Sequence, residues 1–320
     1  MSERKTMRAL RQESWDGPSD LRLVEVDVPS PGGGEVLVRV GAAGVNFADV
    51  MQSRGVYDGG PAAPYLAGFE AAGEVVEVGD GVRGVGVGDL VVGAGSGAFA
   101  EFVVMPAAGV APVPEGWRAE QALGLVLNWG TALAALRALG RLRSGETVLV
   151  QAAAGGVGQA AVKIAKYYGA EVIGTASEQK HDVVMAAGAD RVLEYGEVEG
   201  VRGVDLVLES VGGDAFRRSL AAARRVTGRV VVFGAAGGEA AISNWELVFK
   251  HQVQVMGLHI GSMAQEAPEV YAEVMRELET LRDAGVYLPG EPAVYDLSEG
   301  PTVLSELAAG RTVGKLALRP

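Results

Sequence analysis

Between Leu21 and Val28 apolar residues alternate with charged or polar ones, the period of a half-exposed strand. Glu35–Val40, Gly73–Val78, Asp89–Val92 and Phe99–Val104 are further short strand candidates. Pro29-Ser-Pro-Gly-Gly-Gly34 and the Pro-rich stretch from Pro106 to Pro114 mark loops. From about Ala119 the period changes. Ala119–Gly140 is rich in Ala and Leu and predicts a helix. Strands and helices then alternate: strand Thr147–Gln151, helix Gln159–Tyr168, strand Glu171–Thr175, helix Gln179–Ala187. Asp205–Leu208, Arg229–Phe233 and Gln252–Leu258 read as later strands. Continuous Val/Leu runs bounded by Gly predict strands buried on both faces, hence a parallel sheet and an α/β class. The tail predicts a helix over Pro268–Ala284, then Ser298 as the N-cap of a helix to Ala309, then a strand Lys315–Leu318.

Composition narrows the picture. A chain of 320 residues has room for two domains. With 28 Lys plus Arg against 40 Asp plus Glu the net charge is −12, which disfavours nucleic acid and anionic membrane surfaces as partners. Cysteine is absent, removing disulfides, thiolate nucleophiles and cysteine-ligated metal sites together. The uncharged runs Gln121–Leu136 and Thr147–Val162 are shorter than the ~20 residues a membrane span needs. The stretch Met1–Arg8 is too charged for a signal-peptide apolar region. The expectation is a soluble, cytoplasmic protein. Its 47 glycines, about twice the usual ~7%, punctuate the strands instead of forming a repeat.

The chemistry begins at Ala153-Ala154-Gly155-Gly156-Val157-Gly158, which follows a strand and opens a helix. Glycines there let backbone N–H groups approach a pyrophosphate, and the helix N-terminus favours its charge. The glycine that usually makes the tight turn is Ala153 here. The end of the next strand selects the cofactor. Thr175-Ala176-Ser177 is small and uncharged and Lys180 follows, which suits a ribose 2′-phosphate, hence NADPH; Glu178 pulls toward NADH.

The segment Gly145–Gly158, with Lys166 beyond it, resembles the quinone oxidoreductase/ζ-crystallin signature of the zinc-independent medium-chain dehydrogenases/reductases. Gly44-Val45-Asn46-Phe47-Ala48-Asp49 with Arg54-Gly55-Val56-Tyr57 is similar to that family's active-site stretch. Gly68-Phe69-Glu70 and Val204–Gly213 resemble two more of its landmarks. Phe69 stands where zinc-dependent relatives carry a metal-binding His, so the resemblance implies no metal site.

The resemblance implies a GroES-like β-rich catalytic domain (1–125) completed by a return segment (264–320), around a Rossmann NADPH-binding domain with a doubly wound parallel sheet (126–263). It implies that Asn46 lies beside the nicotinamide and that Tyr57 lines the substrate cavity. Thr131 would contact the carboxamide region, and Gly155, Gly156, Val157 and Gly158 the pyrophosphate. Ser177, Lys180 and Tyr195 would hold the adenosine 2′-phosphate or pack on adenine, and Phe233-Gly234 would pass over the nicotinamide ribose. It also points to a homodimer, with the edge strand Gln252–Leu258 as the pairing surface.

Plainer roles exist for most of these residues. Asn46 is able to bond its own backbone in a turn, Thr131 to cap a helix, Tyr57 to be a loop aromatic, and Asp49 to be a solvated first-turn acid. Glu70 reads as structural. The expected activity is NADPH-dependent hydride transfer to a quinone without metal. The alternatives are alkenal, enone or enoyl-thioester reduction, and an NADPH-binding protein without catalysis.

Overall fold

The computed structural model describes residues 5–57 and 59–320, so Met1–Arg4 of the charged N-terminal stretch lie outside the described residues. The chain divides into two compact units, one of Met1–Leu127 with Pro289–Pro320 and one of Asn128–Leu288.

The first unit is built on strands β1 (Thr6–Gln12), β2 (Leu21–Asp27), β3 (Glu35–Val45), β4 (Tyr65–Leu66), β5 (Glu70–Val78), β6 (Leu90–Ala94), β7 (Phe102–Pro106) and β8 (Val110–Pro112). Two C-terminal strands, Ala293–Asp296 and Leu316–Arg319, join β3, β5, β6, β7 and β8 in one seven-stranded sheet, and β2-β1-β4 form a smaller one. Strand β3 is long enough to pair with β7 through its first half and with the C-terminal strand through Ala43–Val45. Its inward parity changes along the way. Val36, Val38 and Val40 enter the core, then a register shift between Val40 and Ala42 sends Ala43 and Val45 inward. One extra residue moves side chains to the opposite face, which puts Gly44 on the side away from that core.

The second unit holds β9 (Thr147–Val150), β10 (Glu171–Thr175), β11 (Arg191–Leu193), β12 (Leu206–Glu209), β13 (Arg229–Val232) and β14 (Gln254–Gly257). They pair in the order β11-β10-β9-β12-β13-β14, every pair parallel. Helices cover the sheet, and Val148, Leu149, Val150, Leu206, Val207 and Leu208 are wholly buried, as continuous apolar strands require. The order reverses between β9 and β12, the crevice where such sheets bind ligands.

Three expectations need correcting. The return to the first unit begins at Pro289, not 264, because the helix Pro268–Asp283 packs within the second unit. There Glu277 accepts hydrogen bonds from Arg137 (2.9 Å) and from the Tyr168 hydroxyl (2.5 Å). Ser298 lies inside a 3-10 turn (Leu297–Glu299) whose N-cap is Asp296, its side chain accepting from Ser298 N at 2.9 Å, and the last helix (Gly300–Ala308) has Glu299 as its N-cap, so Ser298 is not the N-cap. The helix expected over Ala119–Gly140 breaks at Leu123, which is extended (ψ 139°), and at Gly124 (φ +91°). The run is apolar enough for a membrane span by composition, but most of it is buried in the fold.

Candidate active site

In the first unit, Asn46 directly follows β3 and is the N-cap of helix α1 (Phe47–Ser53). Its backbone N–H donates to Asp49 Oδ2 at 2.7 Å, and Asp49 N donates back to Asn46 O at 3.1 Å. The Asn46 amide is fixed on every side. Nδ2 donates to Gly44 O (3.1 Å) and Glu70 Oε2 (3.2 Å), while Oδ1 accepts from Lys315 Nζ (2.8 Å). Lys315 also donates to Glu70 Oε2 at 2.5 Å, and Glu70 Oε1 accepts from Gly124 N at 2.6 Å. Glu70 is wholly buried, and this ion pair and these donors satisfy both of its carboxyl oxygens.

The cluster explains a glycine inside an apolar strand. A Cβ on Gly44 would sit 2.1 Å from Glu70 Oε2 and 2.9 Å from Lys315 Nζ. Only a bare backbone lets the Lys315–Glu70 pair cross β3 there.

Asp49 is 3% exposed, not a solvated acid, and its Oδ1 has no hydrogen-bond partner. Burial pushes its carboxyl from 3.8 up to about 7, against the opposing pull of the Asn46 N–H and of Lys315, with Glu70 adding to the rise. Tyr57 follows α1, and its ring meets Phe69 at 5.2 Å. Burial, and then the charge of Asp49, raise its hydroxyl pKa. The same causes raise Tyr65 to about 12.

In the second unit, Gly155, at the far end of the loop that follows β9, is the N-cap of helix α2 (Gly156–Tyr167). The tight turn falls on Ala152 (φ +51°), not on Ala153, which is buried and donates its N–H to Thr175 O at 2.8 Å. Gly158 faces backbone so closely that a Cβ would lie 2.4 Å from Ala152 O. This loop and the N–H groups of the first helical turn, Val157 among them, for which a helix supplies no acceptor of its own, fit a pyrophosphate. Ser177 is exposed just after β10, and Lys180 N donates to Ser177 O at 2.8 Å. Burial lowers the Lys180 pKa. Tyr195 is half-buried after β11. Phe233 and Gly234 follow β13, and a Cβ on Gly234 would meet Ser210 O at 2.8 Å. Thr131 is buried inside helix Gly130–Leu133, whose N-cap is Trp129, so Thr131 is not a cap. Apart from Thr131, these residues all follow the carboxyl ends of parallel strands and so share one edge of the sheet.

The sequence reading missed Lys315 altogether and took Glu70 as structural only. Gly44 was the available signal, a residue without a side chain in an otherwise well-packed strand. All three histidines, His181, His251 and His259, belong to the second unit, and among the described residues no group of three or more His, Cys, Asp or Glu is arranged to hold a metal.

Residues 32–115 match the alcohol dehydrogenase GroES-like domain, and residues 156–280 match the zinc-binding dehydrogenase family. The rat synaptic vesicle membrane protein VAT-1 homolog is 32% identical over 91% of this chain and 78% of its own length. The chain belongs to the quinone oxidoreductase-like branch of the medium-chain dehydrogenase/reductase superfamily. Its fold is the family's, a GroES-like domain and a Rossmann-like parallel sheet. Among solved members, Escherichia coli quinone oxidoreductase complexed with NADPH aligns over 99% of this chain and 100% of its own, with 31% identity and a TM-score of 0.88. Mycobacterial Rv1454c complexed with NADPH gives 32% identity and a TM-score of 0.91, over 98% of this chain and 100% of its own. The CurK enoyl reductase gives 28% and 0.86, over 98% of this chain and 99% of its own.

Proposed function

We propose that this oxidoreductase transfers hydride from NADPH to a quinone, without a metal ion. Cofactor choice rests on the small, uncharged end of β10 with Lys180 beyond it, and on the NADPH complexes of two relatives in the family. Metal independence rests on a donor set without cysteine and without histidine in the first unit.

The observation that carries the quinone reading is the closed bonding of the Asn46 cluster. Lys315, Glu70 and the Asn46 amide hydrogen-bond one another, which holds Asn46 rigid and engages the polar atoms of all three within the cluster. A quinone suits such a site because its carbonyl system is already electron-poor, and solvent is able to supply the later proton. When bound, NADPH supplies the hydride. The work of Asn46 and Tyr57 is then to position and shield two flat rings.

The second reading is reduction of an alkenal or enoyl thioester. It draws on the CurK enoyl reductase likeness and on polyketide synthase GfsB of Streptomyces halstedii, 35% identical over 89% of this chain and 5% of that much longer protein. There an enolate forms, and the Tyr57 hydroxyl becomes its proton donor. Rates of NADPH oxidation with a benzoquinone, an alkenal and an enoyl thioester, in the presence of a chelator, separate the two. Fast quinone turnover supports the first reading, and enoyl turnover alone replaces it with the second.

A further inference from the structure

A chain of buried polar side chains crosses the second unit along the carboxyl ends of three neighbouring strands. Thr175 (end of β10), Gln151 (just after β9), Glu209 (end of β12) and Ser219 on the helix Gly213–Ala222 are each 2% exposed or less. Ala152 N donates to Thr175 Oγ1 (3.1 Å), and that hydroxyl donates to Gln151 Oε1 (2.7 Å). Gln151 Nε2 donates to Ser219 Oγ (2.9 Å), whose hydroxyl donates to Glu209 Oε2. Glu209 Oε1 then accepts from Val211 N (2.7 Å) and Gly212 N (2.9 Å). Donors and acceptors alternate without a mismatch, so the direction of each bond, and the orientation of the Gln151 amide, is determined.

The ends of this chain lie in different loops. At one end Thr175 leads into Ser177 and Lys180. In the middle it holds Ala152, the turn of the glycine loop. At the other end it fixes Val211 and Gly212, and that loop is bound in turn to the one after β13. Ala236 N donates to Ser210 O (3.1 Å), Gly237 N to Val211 O (2.6 Å) and Gly213 N to Gly238 O (3.0 Å). The strands β10, β9 and β12 flank the reversal of strand order. Sheet hydrogen bonds already hold their interiors, so side-chain bonds at the strand ends act on the loops.

We propose that Thr175, Gln151, Ser219 and Glu209 form a positioning relay that couples the loop gripping the adenosine end of the dinucleotide to the loops framing its nicotinamide end. The proposal rests on the NADPH reading above. None of the four residues touches the reaction; they act through the loops they hold.

A double-mutant cycle tests the coupling, read as the Kd of NADPH by fluorescence titration. Independent residues that share no partner contribute additively, whereas residues in one network do not. Ser219→Ala cuts the relay at its centre and removes nothing from the adenosine loop itself. The expected result is that Lys180→Ala weakens NADPH about fivefold less in the Ser219→Ala background than in the wild type. Thr175→Val cuts the relay independently, should Ser219→Ala fail to fold, and Thr175→Ser, which keeps the hydroxyl, restores the wild-type coupling. Additive effects overturn the relay, even if Ser219→Ala lowers the melting temperature, because that loss is purely structural. A wild type that does not bind NADPH, or binding indifferent to Lys180→Ala, overturns the cofactor reading instead.

Discussion

Asp49 shares its surroundings with Lys315, Glu70, Tyr57 and Tyr65, and its environment favours the neutral acid. Because the folded-state pKa lies above the unfolded one, the group costs the fold nothing below about pH 4; the cost grows as pH rises to about 7 and is constant beyond. A displacement of this size corresponds to about 4 kcal/mol at most. Asp49→Asn is therefore expected to match wild-type stability in acid and to exceed it increasingly as pH rises from about 4 to 7. Urea unfolding across that range checks this, and a difference that does not vary with pH contradicts it. Lys180 gives a second prediction at the same scale. A charge-assisted hydrogen bond to a 2′-phosphate is worth about 1.5–3 kcal/mol, so Lys180→Ala is expected to weaken NADPH about ten- to a hundredfold and to leave NADH little changed. Equal loss for both cofactors in parallel titrations would mean that Lys180 does not read the phosphate. The acid at 49 was visible in the sequence, but its burial was not. The charges that act on it, Lys315 and Glu70, lie far from it along the chain, so a local pattern does not reveal them.

Elements differ in how openly the sequence announced them. Five strands of the second unit, β9, β10, β12, β13 and β14, were legible as short apolar runs alternating with helices, whereas the three-residue edge strand β11 (Arg191–Leu193) was not foreseen. Strand β1 was not foreseen. The full length of β3 also went unrecognised, because its inward positions change parity at the register shift near Gly41. Long-range pairing, which a local period does not encode, decides both. At the glycine loop the sequence placed the helix correctly but put the turn one residue late. Gly158 is the sharpest test of this element. An added Cβ would press on the backbone of Ala152 and Ala153 at 2.4 and 2.6 Å, and neither has a flexible end that is able to yield. Gly158→Ala is expected to displace the loop and weaken NADPH at least tenfold while helix content is retained. Calorimetric titration beside circular dichroism measures both, and unchanged affinity would remove the loop from the cofactor site.

In the second unit, β14 is the last strand of the sheet among the described residues, with Val255 37% exposed. An exposed apolar edge favours pairing with a second copy, and two-fold symmetry closes the assembly. Sedimentation at micromolar concentration is expected to show a dimer, and Val255→Lys to shift it toward monomer; a monomeric wild type would contradict this. The acceptor is settled by turnover of the wild type and Tyr57→Phe with NADPH, using a small benzoquinone and a 2-alkenal in parallel. For a quinone reductase, the wild type turns over the benzoquinone far faster than the alkenal, and Tyr57→Phe changes the quinone rate by less than about threefold, because no enzyme-held proton is needed. Strong alkenal turnover that falls about 10²–10³-fold in Tyr57→Phe, beside feeble quinone turnover, would contradict the account and make Tyr57 the acid of a double-bond reductase.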